Sequence, residues 1–283
     1  MDTEDDYQPH RYQSSDDEDL AEPIDKSVTL PKPTLVWRTP VSTSSPSAPS
    51  ISPSSPKKCS TLIIGTVFGG SALLLTIKAK TLLGTLLLPG TDLKDDVLLD
   101  QPARSNKSCN IYQLDADPTV VAIACNYEVK DRDSLNVAKA ILSHFEASRI
   151  IILDTLSPAT YLSGSPEIEY NYPWLRLLQT TGSSIETKIP TLEVPNLVQN
   201  LGAALMAYCE VRGLSNSYLL LSLQEHVYGK ALITAATLRG LKEGLSKLGC
   251  PDVANQVDVQ GAGVLLQDKR IGSNRMRDDR LYA

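Results

Sequence analysis

The stretch TVVAIACNYEVKDRDSLNVAKAILSHFEASRIIILD, residues 119–154, decides the fold class. Thr119–Cys125 is rich in β-branched and small apolar residues and shows no polar alternation, which marks a strand buried on both faces. Leu135, Ala138, Ile141, Leu142 and Phe145 then recur at helical spacing, so the pattern predicts an amphipathic helix over residues 134–147. Ile150–Leu153 follows as a second fully apolar strand. Strand, helix and strand in one short span is the pattern of a crossover between parallel strands.

The same alternation extends in both directions. Upstream, Thr61–Val67 reads as a buried strand, Phe68–Ile77 as a helix after a glycine turn, and Leu82–Leu88 as an apolar run ended by Pro89-Gly90. Downstream, Pro195 and Asn196 open a helix. Asn196 is its expected cap and Gln199 its third position. Leu197, Leu201, Leu205, Tyr208 and Arg212 line one face, and Gly213 stops it. Tyr218–Leu223 is a strand, and 231–248 a helix ended by Gly249-Cys250-Pro251. The expected fold is α/β: a single three-layer domain with a mainly parallel sheet covered on both faces.

Two tails flank this domain, which is expected over residues 57–250. Residues 1–22 hold nine acids against one base, Arg11, a net of -8, so the chain's -6 leaves the remainder at +2. Thirteen of the fifteen residues 42–56 are Ser, Thr or Pro. Such composition cannot bury enough apolar surface to offset its ordering entropy, and residues 1–56 read as a disordered tail. Inside it, Leu35-Val36-Trp37 is an apolar island that suits an edge strand or a docking peptide. Ser14-Ser15-Asp16-Asp17-Glu18 would suit an acidophilic kinase, with a solvated tail as the plainer reading. Residues 251–283, with Gly261, Gly263 and the charged run 274–280, read as a flexible C-terminal segment.

Composition excludes several functions. A nearly neutral body offers no electrostatic footprint for nucleic acid. The five cysteines are widely spaced with no C-x-x-C, which suits free thiols in a reducing compartment. The acidic N-terminus has no apolar core of a secretory signal. The expected location is therefore the cytoplasm, with nuclear or endoplasmic-reticulum association also compatible. Residues 61–77 (TLIIGTVFGGSALLLTI) imitate a membrane span but are short of the ~20 apolar residues needed and are broken by Gly65, Gly69 and Gly70.

A search for catalytic chemistry returns little. His10, His144 and His226 stand at no metal-ligand spacing with Cys or carboxylates, and no metal or cofactor set is expected. Gly65-x-x-x-Gly69-Gly70 lies between a strand and a helix, like a phosphate-cradling turn, but lacks both G-x-G-x-x-G spacing and a P-loop Lys-Ser/Thr. Tight strand–helix packing is the better reason for these glycines. His226 follows Glu225 at the C-terminal end of a strand, where α/β sites lie. An α/β enzyme of the nucleoside-phosphorylase or hydrolase kind, built on that turn and His226, stays open as the alternative. The segment 155–190 is irregular and holds Tyr161, Tyr170, Tyr172 and Trp174, as either a contact surface or a loop packed back on the body.

The chain's last residues, Leu281-Tyr282-Ala283, have a different chemistry. A terminal carboxylate is buried only beside a cation, and an apolar residue with a Tyr adds a ring that buries well and a phenol that hydrogen-bonds. Together they form a plug for a pocket containing a Lys, a form of terminal-carboxylate capture.

The body joins this tail to a family. Leu192-Glu193-Val194-Pro195-Asn196-Leu197-Val198-Gln199-Asn200-Leu201, continuing through Ala203–Cys209, resembles a helix of the proteasome assembly chaperone 1 family. Tyr172–Leu178 is similar to that family's Pro-hydrophobic-Leu-Arg segment, Ser217–Leu223 to its next strand, and Leu281-Tyr282-Ala283 to its hydrophobic-Tyr-any ending. The resemblance is good over 145–283, loose over 60–145 and absent over the first 56 residues. It implies a non-enzymatic chaperone related in fold to nucleoside-phosphorylase-like sheets. It also implies a heterodimer with a second assembly chaperone on the outer face of the proteasome α-ring. There hydrophobic-Tyr-any tails enter pockets between α-type subunits, promoting ring assembly and blocking off-pathway association. Leu281, Tyr282 and Ala283 are the binding residues this resemblance implies, with no cofactor, no nucleic acid and no membrane span.

Overall fold

Strand β3, Lys57–Gly65, pairs in parallel with β6 (Val120–Cys125) on one side and β7 (Phe145–Leu156) on the other, and so forms the middle of the sheet. The computed structural model describes residues 32–38, 50–51, 56–88, 108–162, 173–183, 185–227 and 230–266. The chain divides into units Met1–Leu30 and Pro31–Ala283, and every described residue lies in the second.

Nine strands make one sheet, in the order β2-β1-β4-β5-β6-β3-β7-β9-β8. Its centre, β6-β3-β7-β9 with β9 at Ser217–Leu223, is parallel. Antiparallel strands flank it: β1 (Thr34–Trp37), β2 (Ser50–Ile51), β4 (Lys80–Leu87) and β5 (Ser108–Leu114) on one side, β8 (Leu175–Gln179) on the other. The fold is thus mixed α/β, and the parallel character of the sequence pattern belongs to its central strands. A two-stranded hairpin, β10 (Glu225–Val227) with β11 (Lys230–Leu232), follows β9.

Burial on both faces explains the unalternated strands. Along β3, Leu62 and Ile64 enter one core while Ile63 enters the other; along β7, Ile150 and Ile152 oppose Ile151 and Leu153. Helices α2 (Asp131–Ser143) and α3 (Asn200–Val211) cover the first face through Val137, Ile141, Leu201 and Leu205. Helices α1 (Gly69–Leu75), α4 (Ala235–Lys247) and α5 (Pro251–Gln256) cover the second through Leu73, Leu241 and Val253. Each of these buried Leu, Ile or Val side chains contributes about 1.5–3 kcal/mol of transfer free energy.

The structure corrects three local expectations and decides between the alternatives left open at two other places. Helix α2 ends at Ser143, and Phe145 begins β7; Leu135, expected on the buried face, is exposed. Helix α3 begins at Asn200 instead of Asn196, and Gln199 takes the cap position without a side-chain bond. Asn196 is used otherwise: its Oδ1 accepts from the Leu162 N–H at 2.7 Å and its Nδ2 donates to the Leu162 carbonyl at 2.8 Å. The irregular segment contains β8, and its described aromatics pack inward: Tyr161 and Trp174 are buried edge-to-face at 4.8 Å. The C-terminal segment is helical over 251–256 and 259–266, where Val253, Ala254, Ala262 and Leu266 are buried. Finally, Thr34–Trp37, read as an edge strand or a docking peptide, joins the sheet as a strand on β4 with Leu35 and Val36 buried. Tyr170, Tyr172 and residues 1–31 lie outside the described residues.

Residues 61–77 form most of β3 and all of α1, and among the described residues no helix is long and apolar enough to cross a membrane.

Candidate functional site

The crossover β6–α2–β7 passes over β3, so loops leave the carboxyl ends of β3 and β7 toward opposite faces: α1 on one, and α3, by way of the chain after β7, on the other. Open α/β sheets form their ligand crevices at such a point. Here it is a cleft of about 260 Å³, walled by the Thr66–Phe68 loop after β3, Tyr127–Val129 after β6, Asp154–Ser157 at the end of β7 and Leu197–Leu201 at the start of α3.

Asp154 lies at the base. Its Oδ1 accepts from the Thr155 N–H at 2.7 Å, and its Oδ2 abuts Gly202. Burial pushes its carboxyl up to about 6, against hydrogen bonding from Thr66 and the Thr155 N–H, which pull it down. Asn200 enters α3 at φ 59°, a left-handed conformation that Asn adopts more readily than most residues. This sharp reversal brings the first turn of α3 onto Asp154.

The hydroxyls around the cleft are engaged, Thr66 with backbone as well as with Asp154. Thr66 donates to the Leu153 carbonyl at 3.0 Å, Thr160 to the Ser157 carbonyl at 3.0 Å, and Thr155 Oγ1 accepts from Gln224 Nε2 at 3.0 Å. Cys125, directly opposite Cys109 across β5 and β6, is held far above the ordinary thiol range by its hydrogen bond with Cys109 and by burial. It is therefore a neutral thiol and a poor nucleophile. All five cysteines are free and buried.

The glycine turn is explained by packing. A β-carbon on Gly65 would overlap the Gly70 backbone, one on Gly70 would overlap the Leu153 carbonyl, and one on Gly69 would sit 2.8 Å from Thr155 Cγ2. The N–H groups of Thr66, Ser71 and Ala72 are bonded to Leu153, Thr66 and Phe68 carbonyls. These contacts account for the glycines by close strand–helix packing. His226 falls in β10 and its side chain lies outside the described residues; His144 ends α2, its pKa lowered by burial. Among the described residues no group of His, Cys, Asp or Glu is placed to hold a metal.

Leu281, Tyr282 and Ala283 lie outside the described residues, as does everything after Leu266. The last described turn is firmly seated. Asp258 N–H donates to Thr76 Oγ1 at 3.1 Å, and Ala262 and Leu266 enter the core beside α1.

Sequence reasoning did not single out Asp154 or the rim of this cleft. One signal was available: an acid at the end of an otherwise apolar strand, Ile150–Leu153, in a position where a solvated loop residue and a buried carboxylate look alike.

A family model described as proteasome assembly chaperone 4 matches residues 2–259. The chain belongs to that proteasome assembly chaperone family. Relatives named proteasome assembly chaperone 1 agree. The Xenopus laevis protein is 29% identical over 109 residues, 38% of each chain. The Danio rerio protein is 28% identical over 116 residues, 40% of this chain and 42% of its own. The matched stretch thus spans about two fifths of these relatives. Among solved structures, a Thermoplasma acidophilum protein of unknown function covers 80% of this chain and 91% of its own at TM-score 0.50 and 9% identity, a likeness of fold alone. Pyrococcus furiosus PbaB, an archaeal proteasome activator, covers 87% and 99% at TM-score 0.48 and 11% identity, too low a score to argue from.

Proposed function

We propose that this chain is a non-enzymatic chaperone of proteasome core-particle assembly. It pairs with a second assembly chaperone, binds the α-ring, promotes ring formation and blocks off-pathway association. The observation that carries this reading is the family match across residues 2–259. The ending Leu281-Tyr282-Ala283 adds a mechanism: the folded body covers α-type subunits while the apolar side chain, the phenol and the terminal carboxylate enter a Lys-containing pocket. The work is binding and steric exclusion, with no cofactor, and the proposed location is the cytoplasm.

The test is recovery of α-type subunits by the full chain, by a chain lacking residues 281–283 and by Tyr282→Ala. The aromatic anchor is expected to be worth about 1–4 kcal/mol of affinity. Equal recovery by all three would sink the tail mechanism, and recovery of neither α-type subunits nor a related chaperone would sink the function.

A further inference from the structure

Glu128 and Asp154 line the cleft at the carboxyl ends of β3 and β7, and among its described lining residues none is basic. Exposed apolar side chains stand in its wall, Phe68 and Leu197, and on the neighbouring chain, Leu162 and Val194. Leu197 is 74% exposed, Phe68 42%, Leu162 55% and Val194 91%. These are four of the eight large hydrophobics exposed among the described residues. They are not scattered. Phe68 and Leu197 both line the cleft, and the paired hydrogen bonds between Asn196 and the Leu162 backbone fix Leu162 beside the 194–197 loop.

We propose that the cleft and this rim are a docking surface for a protein partner that inserts a lysine side chain toward Asp154. Charge complementarity selects the cation, because the described lining of the cleft carries two carboxylates and no base. Asp154 Oδ1 already accepts from the Thr155 N–H, so a single-point ammonium suits it better than a two-pronged guanidinium that needs both oxygens. The apolar walls suit the lysine stem. A small cation could satisfy the two carboxylates, but it would leave Leu197, Leu162 and Val194 in water. Exposed apolar side chains beside a cleft mark a surface that another protein covers. Asp154 also offsets the positive end of α3, whose cap residue makes no side-chain bond, yet that role accounts for neither Glu128 nor the rim. The inference rests on the proposed function for the identity of its partners.

The test measures affinity of the full chain for two purified probes, recombinant α-type proteasome subunits and the second assembly chaperone. Leu197→Asp and Glu128→Lys alter exposed side chains, and unfolding curves matching wild type verify their folds. Both variants are expected to weaken the same one of these complexes about tenfold or more, the size of one anchor residue. Carbodiimide coupling of the wild-type complex is expected to join Asp154 or Glu128 to a partner lysine. Affinities for both probes within about twofold of wild type, or coupling only at other carboxylates, overturn the proposal. So does binding of spermidine or lysine amide that is indifferent to Leu197→Asp, which assigns the cleft to a small cation. A dimer of the isolated chain that Leu197→Asp dissolves assigns the face to a second copy instead, and also overturns it. The chain lacking residues 281–283 separates the two readings. If it binds weakly while both rim variants bind fully, the docking surface alone falls; if wild type binds neither probe, both fall.

Discussion

The carboxylate of Asp154 packs directly on Gly202, and a β-carbon at position 202 would overlap its Oδ2. Strand β7 and helix α3 therefore meet through an acid and a missing side chain. Burial raises the Asp154 carboxyl to about 6, so the folded state holds its proton more tightly than the unfolded chain does. The stability tied to this group is complete below the unfolded value near 4 and declines as pH rises to about 6, by up to about 3 kcal/mol. Asp154→Asn keeps the shape and the acceptor for the Thr155 N–H but removes this decline. The variant is expected to be more stable than wild type at pH 7.5 by about 1–3 kcal/mol and to show little of that gain at pH 4. Urea unfolding at the two pH values checks this, and an equal difference at both would refute the burial account.

Gly70 and Gly263 make opposite predictions for the same substitution. Gly70→Ala pushes a β-carbon into the Leu153 carbonyl, which is rigid backbone, and is expected to cost about 1–3 kcal/mol or more. Gly263 faces open space within the 259–266 helix, so Gly263→Ala is expected to stabilise by about 0.5–1 kcal/mol. Thermal denaturation of both variants tests whether the glycines of the β3–α1 turn serve packing.

Leu35→Ala tests whether β1 belongs to the fold. Leu35 is 2% exposed and sits in the same core as Leu86 and Ile111. Its truncation is expected to cost about 2–5 kcal/mol, as for other buried leucines. A loss under 0.5 kcal/mol, the size of a surface change, would show that the strand is not packed in solution.

Arg176 and Glu193 form a clamp over Trp174. The guanidinium reaches Glu193 Oε1 at 2.6 Å and lies 4.4 Å above the Trp174 ring. Burial raises the Glu193 carboxyl, but hydrogen bonds led by Arg176 outweigh it, and the net value falls below the ordinary range. Its stability contribution is therefore present above the unfolded pKa and lost as pH falls through the folded one. Glu193→Gln is expected to cost about 1–2 kcal/mol at pH 7, discounted for partial exposure, and almost nothing at pH 3. Chemical denaturation across that range measures it.

The sheet's parallel core was legible because double burial removes polar alternation, as in 120–125 and 150–153. The flanks were less so. Strand β8 lies among prolines and follows a segment with no periodicity, and Thr34–Trp37 is too short for its pattern to choose between an edge strand and a docking peptide. Helix α2 was overextended because Phe145 continues a helical spacing that His144 ends; spacing cannot reveal that Phe145 pairs with Lys57. The cap at Asn196 failed for a related reason. Its amide satisfies backbone groups of Leu162, far away in sequence, in place of its own helix. The cleft was hidden because its members come from four separate loops, and only the topology brings them together.

The outer side of β8 has one further consequence. Leu177 N–H bonds to the Pro190 carbonyl at 2.9 Å, and the Leu192 N–H bonds back to Leu177 at 3.1 Å. An open strand margin is a template on which foreign chains polymerise. Residues 190–192 occupy that template at its centre, and Glu193, next in line, is the residue that Arg176 grips. Loosening the clamp is thus expected to cost more than stability: freeing residues 190–192 would bare an unpaired strand margin on a protein whose proposed task is to hold other chains apart until they are correctly joined.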